Sequence, residues 1–375
     1  MGFAFSLAKA QTTVNGTILS GGVSRSYILY VPAVYTSSQP APLVFNFHGY
    51  GSNNSQQNFY ADFKPIADTA NFILVLPQGL TSGGYAGWNN FGAVSSAAAD
   101  INFVSDLIDT LSKRYNINSN RIYSTGFSNG GFMSYDLACF MSTRFAAIAS
   151  VSGSMVASHL SACNPSHPMP VMEIHGTIDS TVSYTGVGGT IACTHIDSLV
   201  KHWVNFNNCN PTPVFTPVPN ISTTDNCTAE HYVYSGSNVC TTVELFKVIG
   251  GDHTWPGASY LLPGKNTNED FNACKEIWRF FSGCSLSTGI NNIIRTPEVE
   301  VYPNPFSDNS TVRITNRTAV NYELNIFNVY GQEVQAPVDR VPEGFQIHRG
   351  NLNAGIYFLK IKSGLDEKTL KLIAE

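Results

Sequence analysis

The stretch RIYSTGFSNGGF, residues 121–132, places one serine, Ser128, between the glycines Gly126 and Gly130. A β-branched and aromatic run precedes it, and a segment that favours a helix follows it. Two glycines around a central residue predict a turn too tight for neighbouring Cβ atoms, with the residue at the apex displayed. This G-x-S-x-G pattern is typical of a nucleophile elbow between a strand and a helix. An ordinary Gly- and Ser-rich loop is the alternative, so the surrounding sequence has to decide.

Strands and helices are predicted to alternate on both sides of this stretch. The expected strands are Thr12–Leu19 and Ser26–Val31, joined as a hairpin, then 42–47, Asn71–Leu76, 121–126, Ala146–Ser152, Met169–Ile174 and Val243–Val248. The expected helices are Asp100–Tyr115, a segment through Cys139, and Asp270–Phe281. Such alternation predicts a mostly parallel sheet that is covered on both faces and binds ligands at the carboxyl ends of its strands.

The partners that a serine nucleophile requires follow two of the predicted strands. A serine hydroxyl becomes reactive when a histidine takes its proton and a carboxylate orients that histidine. Asp179 follows the strand Met169–Ile174, and His253 follows the strand Val243–Val248. The order Ser128, Asp179, His253 is the order of α/β-hydrolases. The sequence therefore predicts an α/β-hydrolase fold with a Ser-His-Asp triad.

Other residues could take these roles. Asp252 is an alternative carboxylate, although neighbours in the chain usually point their side chains apart, and Asp179 could be a simple turn residue. His175 is an alternative base, although its position at a strand end favours a structural hydrogen-bonding role. The nine histidines show no H-x-x-x-H or comparable spacing, so neither a metal nor another cofactor is expected.

An ester-cleaving serine also needs two N–H donors for the oxyanion of the tetrahedral intermediate. One is expected from the backbone of Asn129, directly after the nucleophile and at the start of a helix. The other is expected from the HGYG segment at residues 48–51, where glycines permit close approach, and the Tyr50 N–H is the favoured donor. His48 is interpreted as a residue that orders this loop.

Composition excludes two classes of protein. The chain has 375 residues and a net charge of −5, whereas a nucleic-acid-binding face would need an excess of basic residues. No apolar run approaches the roughly 20 residues that span a bilayer. We therefore expect neither a nucleic-acid partner nor a membrane-embedded segment.

The cysteines and the N-terminus indicate export. Eight cysteines lie between Cys139 and Cys284 without a C-x-x-C pair, which fits disulfides in an oxidising compartment; buried thiols are the alternative. Their pairing cannot be read from the sequence. Residues 1–10 resemble a shortened signal peptide that ends in a small-x-small cleavage site, so the mature chain is predicted to begin near Gln11.

The character of the sequence changes after Cys284. We predict a catalytic domain at residues 11–284, a polar linker at 285–297 and a small cysteine-free β-sandwich at 298–375. The last region alternates apolar and polar residues in TVRITN, YELNIFNVYG, GIYFLKIKSG and KTLKLI. A carbohydrate-binding module is one interpretation, but the region contains no tryptophan.

Several motifs together carry a resemblance to a known family. Residues 12–284 resemble the secreted poly(3-hydroxybutyrate) depolymerase-like esterases, which overlap the feruloyl and acetylxylan esterases of carbohydrate esterase type 1. The motifs are HGYGSN, GWNN, GFSNGGFMSYDLAC, HGTID, GGDHTWPG and FNACKEIWRFF. The resemblance implies the same triad, while Tyr50 stands where many relatives carry a small residue or cysteine. The C-terminal region, with VYPNPFSDNSTVRI and NVYGQEV, is similar to the type IX secretion sorting domain of Bacteroidetes, which implies delivery by the outer-membrane secretion machinery.

The substrate is expected to be an ester on a polymer. Trp88 and Trp255 lie on loops beside the predicted site, where their rings could contact a sugar or a phenolic acid, or could be ordinary packing residues. We expect a secreted serine carboxylesterase that removes feruloyl or acetyl groups from plant polysaccharide. A polyhydroxyalkanoate-type polyester depolymerase is the alternative enzyme, and a catalytically silent surface-binding protein is the alternative from another class.

Overall fold

The computed structural model describes residues 11–286, 298–315, 323–341, 344–363 and 366–375. The chain divides into two compact units, Met1–Ser287 and Thr288–Glu375, and each unit is described by itself. The predicted signal peptide at residues 1–10 and most of the predicted linker lie outside the described residues. The predicted domain limits stay predictions.

The first unit contains one large sheet with helices and a short hairpin. Its strands are β1 (Thr12–Ser20), β2 (Val23–Val31), β3 (Ala41–Phe47), β4 (Ile73–Pro77), β5 (Leu80–Ser82), β6 (Tyr85–Gly87), β7 (Ile117–Phe127), β8 (Ala147–Val151), β9 (Val171–Gly176), β10 (Val214–Pro217), β11 (Thr228–Tyr234) and β12 (Val243–Ile249). Its helices are α1 (Asn54–Tyr60), α2 (Lys64–Ala70), α3 (Val94–Ser112), α4 (Asn129–Phe140), α5 (Ala157–Ala162), α6 (Ile196–Phe206) and α7 (Ala273–Ser282).

The large sheet is parallel in its centre and antiparallel at its edges. Its ten strands lie in the order β1-β2-β4-β3-β7-β8-β9-β12-β11-β10. The run from β4 to β12 is parallel, whereas β1, β2, β10 and β11 pair antiparallel. The side chains of β3 alternate between two buried clusters, with Phe45 in one and Val44 in the other. Helices therefore cover both faces, and the predicted α/β-hydrolase architecture is confirmed.

The first unit contains four helices and four strands that were not predicted, namely α1, α2, α5, α6, β5, β6, β10 and β11. Among the predicted elements, α3 differs most in where it begins. This helix begins at Val94, six residues before the predicted start at Asp100, and ends at Ser112. Its first turns are rich in serine and alanine, which carry little apolar periodicity although alanine favours a helix. Asp100 is buried on this helix because it pairs with Arg25 at 2.8 Å. The weak apolar periodicity of residues 94–99 thus hid the first part of the helix.

The structure contains a disulfide between Cys139 and Cys163, which links the end of α4 to the segment after α5. The disulfide prediction is confirmed for this pair. The other six cysteines, at positions 193, 209, 227, 240, 274 and 284, carry no disulfide in the structure.

Removal of this disulfide is expected to destabilise the first unit. The bond closes a loop with a sequence separation of 24 residues. Replacing Cys139 and Cys163 together with serine should lower the free energy of unfolding by about 3–4 kcal/mol, since the unfolded chain regains loop entropy. Urea denaturation of the double variant measures this loss, and Cys193→Ser serves as the control. A double variant as stable as the control would contradict the expectation.

The second unit is built only from strands in its described part. They are β13 (Glu298–Tyr302), β14 (Asn309–Thr315), β15 (Glu323–Asn328), β16 (Glu333–Val334), β17 (Val338–Val341), β18 (Gly344–His348), β19 (Gly355–Ser363) and β20 (Asp366–Ala374). They form two four-stranded antiparallel sheets in the orders β13-β14-β18-β17 and β16-β15-β19-β20. Val312 and Ile347 from one sheet and Ile326 and Leu359 from the other share one core. The predicted all-β character of this region is confirmed.

Candidate active site

Ser128 lies at a strained turn between β7 and α4. Its φ of 54° and ψ of −118° are outside the regions that residues with a side chain normally occupy. Both flanking glycines are required: a Cβ on Gly126 would lie 2.5 Å from the carbonyl carbon of Gly130, and one on Gly130 would lie 2.2 Å from the Phe47 carbonyl oxygen. The local geometry is that of a nucleophile elbow, with Ser128 at its apex.

Asp179 and His253 meet although 74 residues separate them. Asp179 lies after β9 and His253 lies after β12, and these strands are neighbours in the sheet. His253 Nδ1 is 2.7 Å from Asp179 Oδ2, while Asp179 Oδ1 accepts hydrogen bonds from the N–H groups of Thr181 and Val182, both at 2.8 Å. Three contacts therefore hold the carboxylate, and one of them orients the imidazole toward it.

Burial and hydrogen bonding act in opposite directions on Asp179. Burial favours the neutral acid, but hydrogen bonds from His175 and His253 outweigh it and hold the pKa of Asp179 well below its ordinary value. The carboxylate is consequently charged at neutral pH. A charged acceptor at Nδ1 fixes the tautomer that leaves Nε2 of a neutral His253 free to accept a proton.

Ser128 and His253 line the same cavity, and the ring of Phe127 lies 4.8 Å from the His253 ring. Within residues 11–286 there is no hydrogen bond between Ser128 Oγ and His253. Such contacts are often long in a site without substrate and tighten when substrate binds. The structure thus brings Ser128, Asp179 and His253 to the carboxyl ends of the parallel strands. The contact between Asp179 and His253 is formed, and the contact between Ser128 and His253 is not.

The segment at residues 48–51 packs against the elbow. A Cβ on Gly49 would lie 3.5 Å from the Cβ of Ser128, so this backbone runs close to the serine. In the described part of the chain, neither the Tyr50 N–H nor the Asn129 N–H donates a hydrogen bond to the protein. In these described residues, both predicted oxyanion donors are therefore without a protein acceptor.

Trp88 lies beneath this loop and outside the cavity wall. It is only 3% exposed, and its indole Nε1 donates to the His48 carbonyl oxygen at 2.9 Å. The Asn129 side chain accepts from the Trp88 N–H at 2.7 Å and donates to the Trp88 carbonyl oxygen at 3.1 Å. Trp88 ties the loop to the elbow and does not line the cavity, so the predicted substrate contact of Trp88 is not formed in the structure. The sequence did not reveal this link, because it depends on a side chain of α4.

The cavity beside Ser128 has a volume of about 940 Å³. Trp255 forms part of its wall. The other aromatic and aliphatic lining residues are Tyr50, Phe59, Tyr60, Phe91, Phe127, Ile191, Ala258, Tyr260 and Leu262. No lysine, arginine, aspartate or glutamate of the described residues lines it. The cavity can therefore hold a large uncharged group with apolar or aromatic character.

The alternative carboxylate, Asp252, and the alternative base, His175, do not take the places of Asp179 and His253. Asp252 pairs with Lys265 at 2.9 Å, and the part of the chain that the structure describes contains no bond from it to His253. His175 is 1% exposed and does not line the cavity.

Across the described ranges there is no cluster of three or more histidine, cysteine, aspartate or glutamate residues that could hold a metal ion. The same ranges contain no helix long and apolar enough to cross a membrane.

The parallel sheet, the strained serine turn and the neighbouring Asp–His pair define the class of α/β-hydrolases. Residues 31–205 match the phospholipase/carboxylesterase family. A feruloyl esterase C of Emericella nidulans is 30% identical over 217 residues, which cover 56% of this chain and 71% of that protein. The bifunctional acetylxylan esterase/xylanase XynS20E of Neocallimastix patriciarum is 30% identical over 47% of this chain, and the match spans 25% of that protein's length.

Among solved structures, the acetyl xylan esterase from Aspergillus awamori has the same fold. It is 14% identical with a TM-score of 0.53, and the match covers 72% of this chain and 99% of that one. The chain belongs to the carboxylesterase family that includes the feruloyl and acetylxylan esterases. Residues 300–375 match the secretion system C-terminal sorting domain, so this protein is a carboxylesterase exported by type IX secretion.

Proposed function

We propose that this protein is a serine esterase that hydrolyses feruloyl or acetyl esters of plant polysaccharide through an acyl-enzyme intermediate. The observation that carries the proposal is the 2.7 Å contact between Asp179 and His253 at the cavity that Ser128 also lines. The names of the relatives supply the substrate class, and the geometry of the residues supplies the chemistry.

In the proposed reaction, His253 Nε2 takes the proton of Ser128 as its Oγ attacks the ester carbonyl carbon. The protonated imidazole is stabilised by Asp179 and then gives its proton to the leaving alcohol, so that an acyl-enzyme remains on Ser128. Water then attacks the acyl carbon while His253 takes one of its protons. The bond between the acyl carbon and Ser128 Oγ breaks, His253 returns the proton to Oγ, and the acid is released. Each half-reaction returns the histidine to its neutral form.

The tetrahedral intermediates of both half-reactions carry a negative oxygen. We propose that the N–H groups of Tyr50 and Asn129 bind it, since both are unengaged and flank the elbow. Asn129 is the first residue of α4, so the helix N-terminus adds favourable dipole charge. Donors of this type are worth on the order of 10²–10³ in rate.

The cavity favours an aromatic acyl group over a small one. Its volume of about 940 Å³ exceeds what an acetyl group needs, and its wall is lined by rings that include Phe127 and Trp255. An uncharged, aromatic wall suits a phenolic acid, whose ring gains contact area and edge-to-face packing. We therefore rank feruloyl above acetyl esters.

A substrate panel tests this order. The purified protein is assayed with methyl ferulate, acetylated xylan, p-nitrophenyl acetate and butyrate, and a polyhydroxybutyrate film. The expected result is the highest kcat/KM with methyl ferulate. A protein that cleaves acetylated xylan and leaves methyl ferulate intact would contradict the aromatic assignment.

The polyester alternative is supported by the rim of the cavity. Phe59, Tyr260, Leu261 and Leu262 are each more than 40% exposed, and the rings of Phe59 and Tyr260 lie 6.4 Å apart. An exposed apolar patch beside an ester-cleaving site can adsorb to a hydrophobic polymer. Release of hydroxyacid from the polyhydroxybutyrate film, at rates above those with the soluble esters, would favour this function.

The C-terminal region is proposed to act only as an export signal. Truncation after residue 286 should leave hydrolysis of soluble esters and binding to insoluble polysaccharide nearly unchanged, because the triad residues all precede Cys284. In the native host the truncated protein should remain in the periplasm, as judged by activity in cell fractions. Truncated enzyme in the medium would contradict the export role, and loss of polysaccharide binding would favour a carbohydrate-binding module.

A further inference from the structure

A second histidine, His175, contacts Asp179 from within the protein. His175 Nε2 lies 3.4 Å from Asp179 Oδ2, the same oxygen that contacts His253 Nδ1. On its other side, His175 Nδ1 lies 2.9 Å from Glu173 Oε1. Tyr135 donates its hydroxyl hydrogen to the second oxygen of Glu173 at 2.8 Å. A continuous chain of polar contacts thus runs from α4 through β9 to the candidate catalytic pair.

Neither Glu173 nor His175 can touch a substrate. Their exposed fractions are 0% and 1%, and neither residue lines the cavity. Two residues apart on β9, they point to the same face of the strand. Burial of a carboxylate and an imidazole costs desolvation energy that an apolar pair would avoid. A role in positioning Asp179 would account for their presence at this place.

His175 has an acceptor at each ring nitrogen. Glu173 lies at Nδ1, and the Val182 carbonyl oxygen lies 2.8 Å from Nε2. A neutral imidazole has one N–H, whereas the protonated ring donates from both nitrogens. Burial lowers the pKa of His175, but hydrogen bonds to Asp179 and Glu173 outweigh it and raise the pKa to about 10. The ring is therefore positively charged at neutral pH.

We propose that Glu173 and His175 form a positioning pair that shares Asp179 with His253 and sets the pH range in which His253 works as a base. The positive His175 offsets part of the negative charge of Asp179. Asp179 then attracts the protonated form of His253 less strongly. This inference rests on the proposed function, because it assigns His253 the role of base.

Other titratable groups surround His175. They are Glu173 on the same strand, Tyr135 on α4, Asp179, Tyr184 and Cys193 after β9, Lys247 opposite His175 on β12, and Asp252 and His253 beyond it. Lys247 lies over the Tyr184 ring, and Asp252 is compensated by Lys265. Glu173 and Asp179 are the two carboxylates hydrogen-bonded to His175.

The test is the pH dependence of kcat/KM for p-nitrophenyl acetate in His175→Gln and Glu173→Gln. Without the positive ring, Asp179 attracts the protonated base more strongly, so the acidic limb of the profile should move up by about half a pH unit or more. Glu173→Gln should move it in the same direction, since His175 then keeps only Asp179 of its two carboxylate partners and its pKa falls. The plateau rate above this limb should change less than the rate at low pH.

His231→Gln is the matched control. His231 Nε2 contacts Glu244 at 2.7 Å on β11 and β12, away from the cavity, and its loss should leave the profile unchanged. If His175→Gln does not fold, Glu173→Gln alone decides the question. The proposed role of Glu173 and His175 is overturned if the acidic limb of a folded variant stays in place or moves to lower pH. A loss of activity in Ser128→Ala together with an unmoved limb would overturn this inference and leave the proposed function in place.

Discussion

Replacement of Ser128 by alanine is expected to lower kcat/KM for every ester by on the order of 10⁴–10⁶, because no other group can form the acyl-enzyme. The fold should survive. The serine hydroxyl makes no side-chain hydrogen bond within residues 11–286, and the strained turn is held by Gly126 and Gly130. The measurement is steady-state hydrolysis of methyl ferulate and p-nitrophenyl acetate, with thermal unfolding to establish that the variant is folded.

Ser55→Ala is the matched control, because Ser55 lines the same cavity and is exposed. Its kcat/KM should stay close to that of the unmodified protein. A folded Ser128→Ala protein that keeps more than a few per cent of its activity would remove Ser128 as the nucleophile.

Replacement of Asp179 by asparagine is expected to reduce kcat by about 10⁴. The oxygen of the asparagine can still accept from the Thr181 and Val182 N–H groups, which places its NH₂ group against His253 Nδ1. Nδ1 must then accept a hydrogen bond, so the proton of the neutral ring moves to Nε2. A ring in this tautomer cannot take the proton of Ser128.

Asp252→Asn separates this tautomer effect from a general loss of charge. Asp252 precedes His253 directly but pairs with Lys265, so its replacement should change kcat far less. The assay is hydrolysis of p-nitrophenyl acetate by both variants at equal folded concentration. If Asp252→Asn loses the activity and Asp179→Asn keeps it, then Asp252 is the carboxylate of the site.

The parallel sheet could be predicted because its buried strands have local signals. All seven residues of β3 are buried, and its apolar run is visible in the sequence. The elbow has a local signal as well, since two glycines at fixed spacing around Ser128 are required by contacts of less than 3 Å. The strand-end positions of Asp179 and His253 then follow from the parallel order of the strands.

Features that depend on contacts between distant segments could not be predicted. The position of Trp88 on a loop near the site predicts a substrate contact. In the structure, Asn129 and the His48 carbonyl oxygen hold Trp88 beneath the segment at residues 48–51. The cysteine pairing likewise depends on the approach of α4 to the end of α5. In each case the decisive partner lies more than 20 residues away, where periodicity carries no information.

The buried chain behind Asp179 illustrates the same limit. The position of His175 at a strand end indicates that this residue forms structural hydrogen bonds. In the structure it forms them with Glu173 and the Val182 carbonyl oxygen. Its third contact, to Asp179, arises when the loop after β9 folds back over the strand. A residue that looks structural from the sequence therefore lies in direct contact with the candidate catalytic carboxylate.

The most direct test of the account is the site of covalent reaction with a fluorophosphonate probe, which phosphonylates an activated serine. The unmodified protein is treated with the probe, digested, and examined by peptide mass spectrometry. The account predicts one modified peptide that includes residues 121–132, with the adduct on Ser128, and no adduct in Ser128→Ala. An adduct on another serine, or a folded protein that does not react at all, would contradict the proposed serine esterase and favour a silent binding protein.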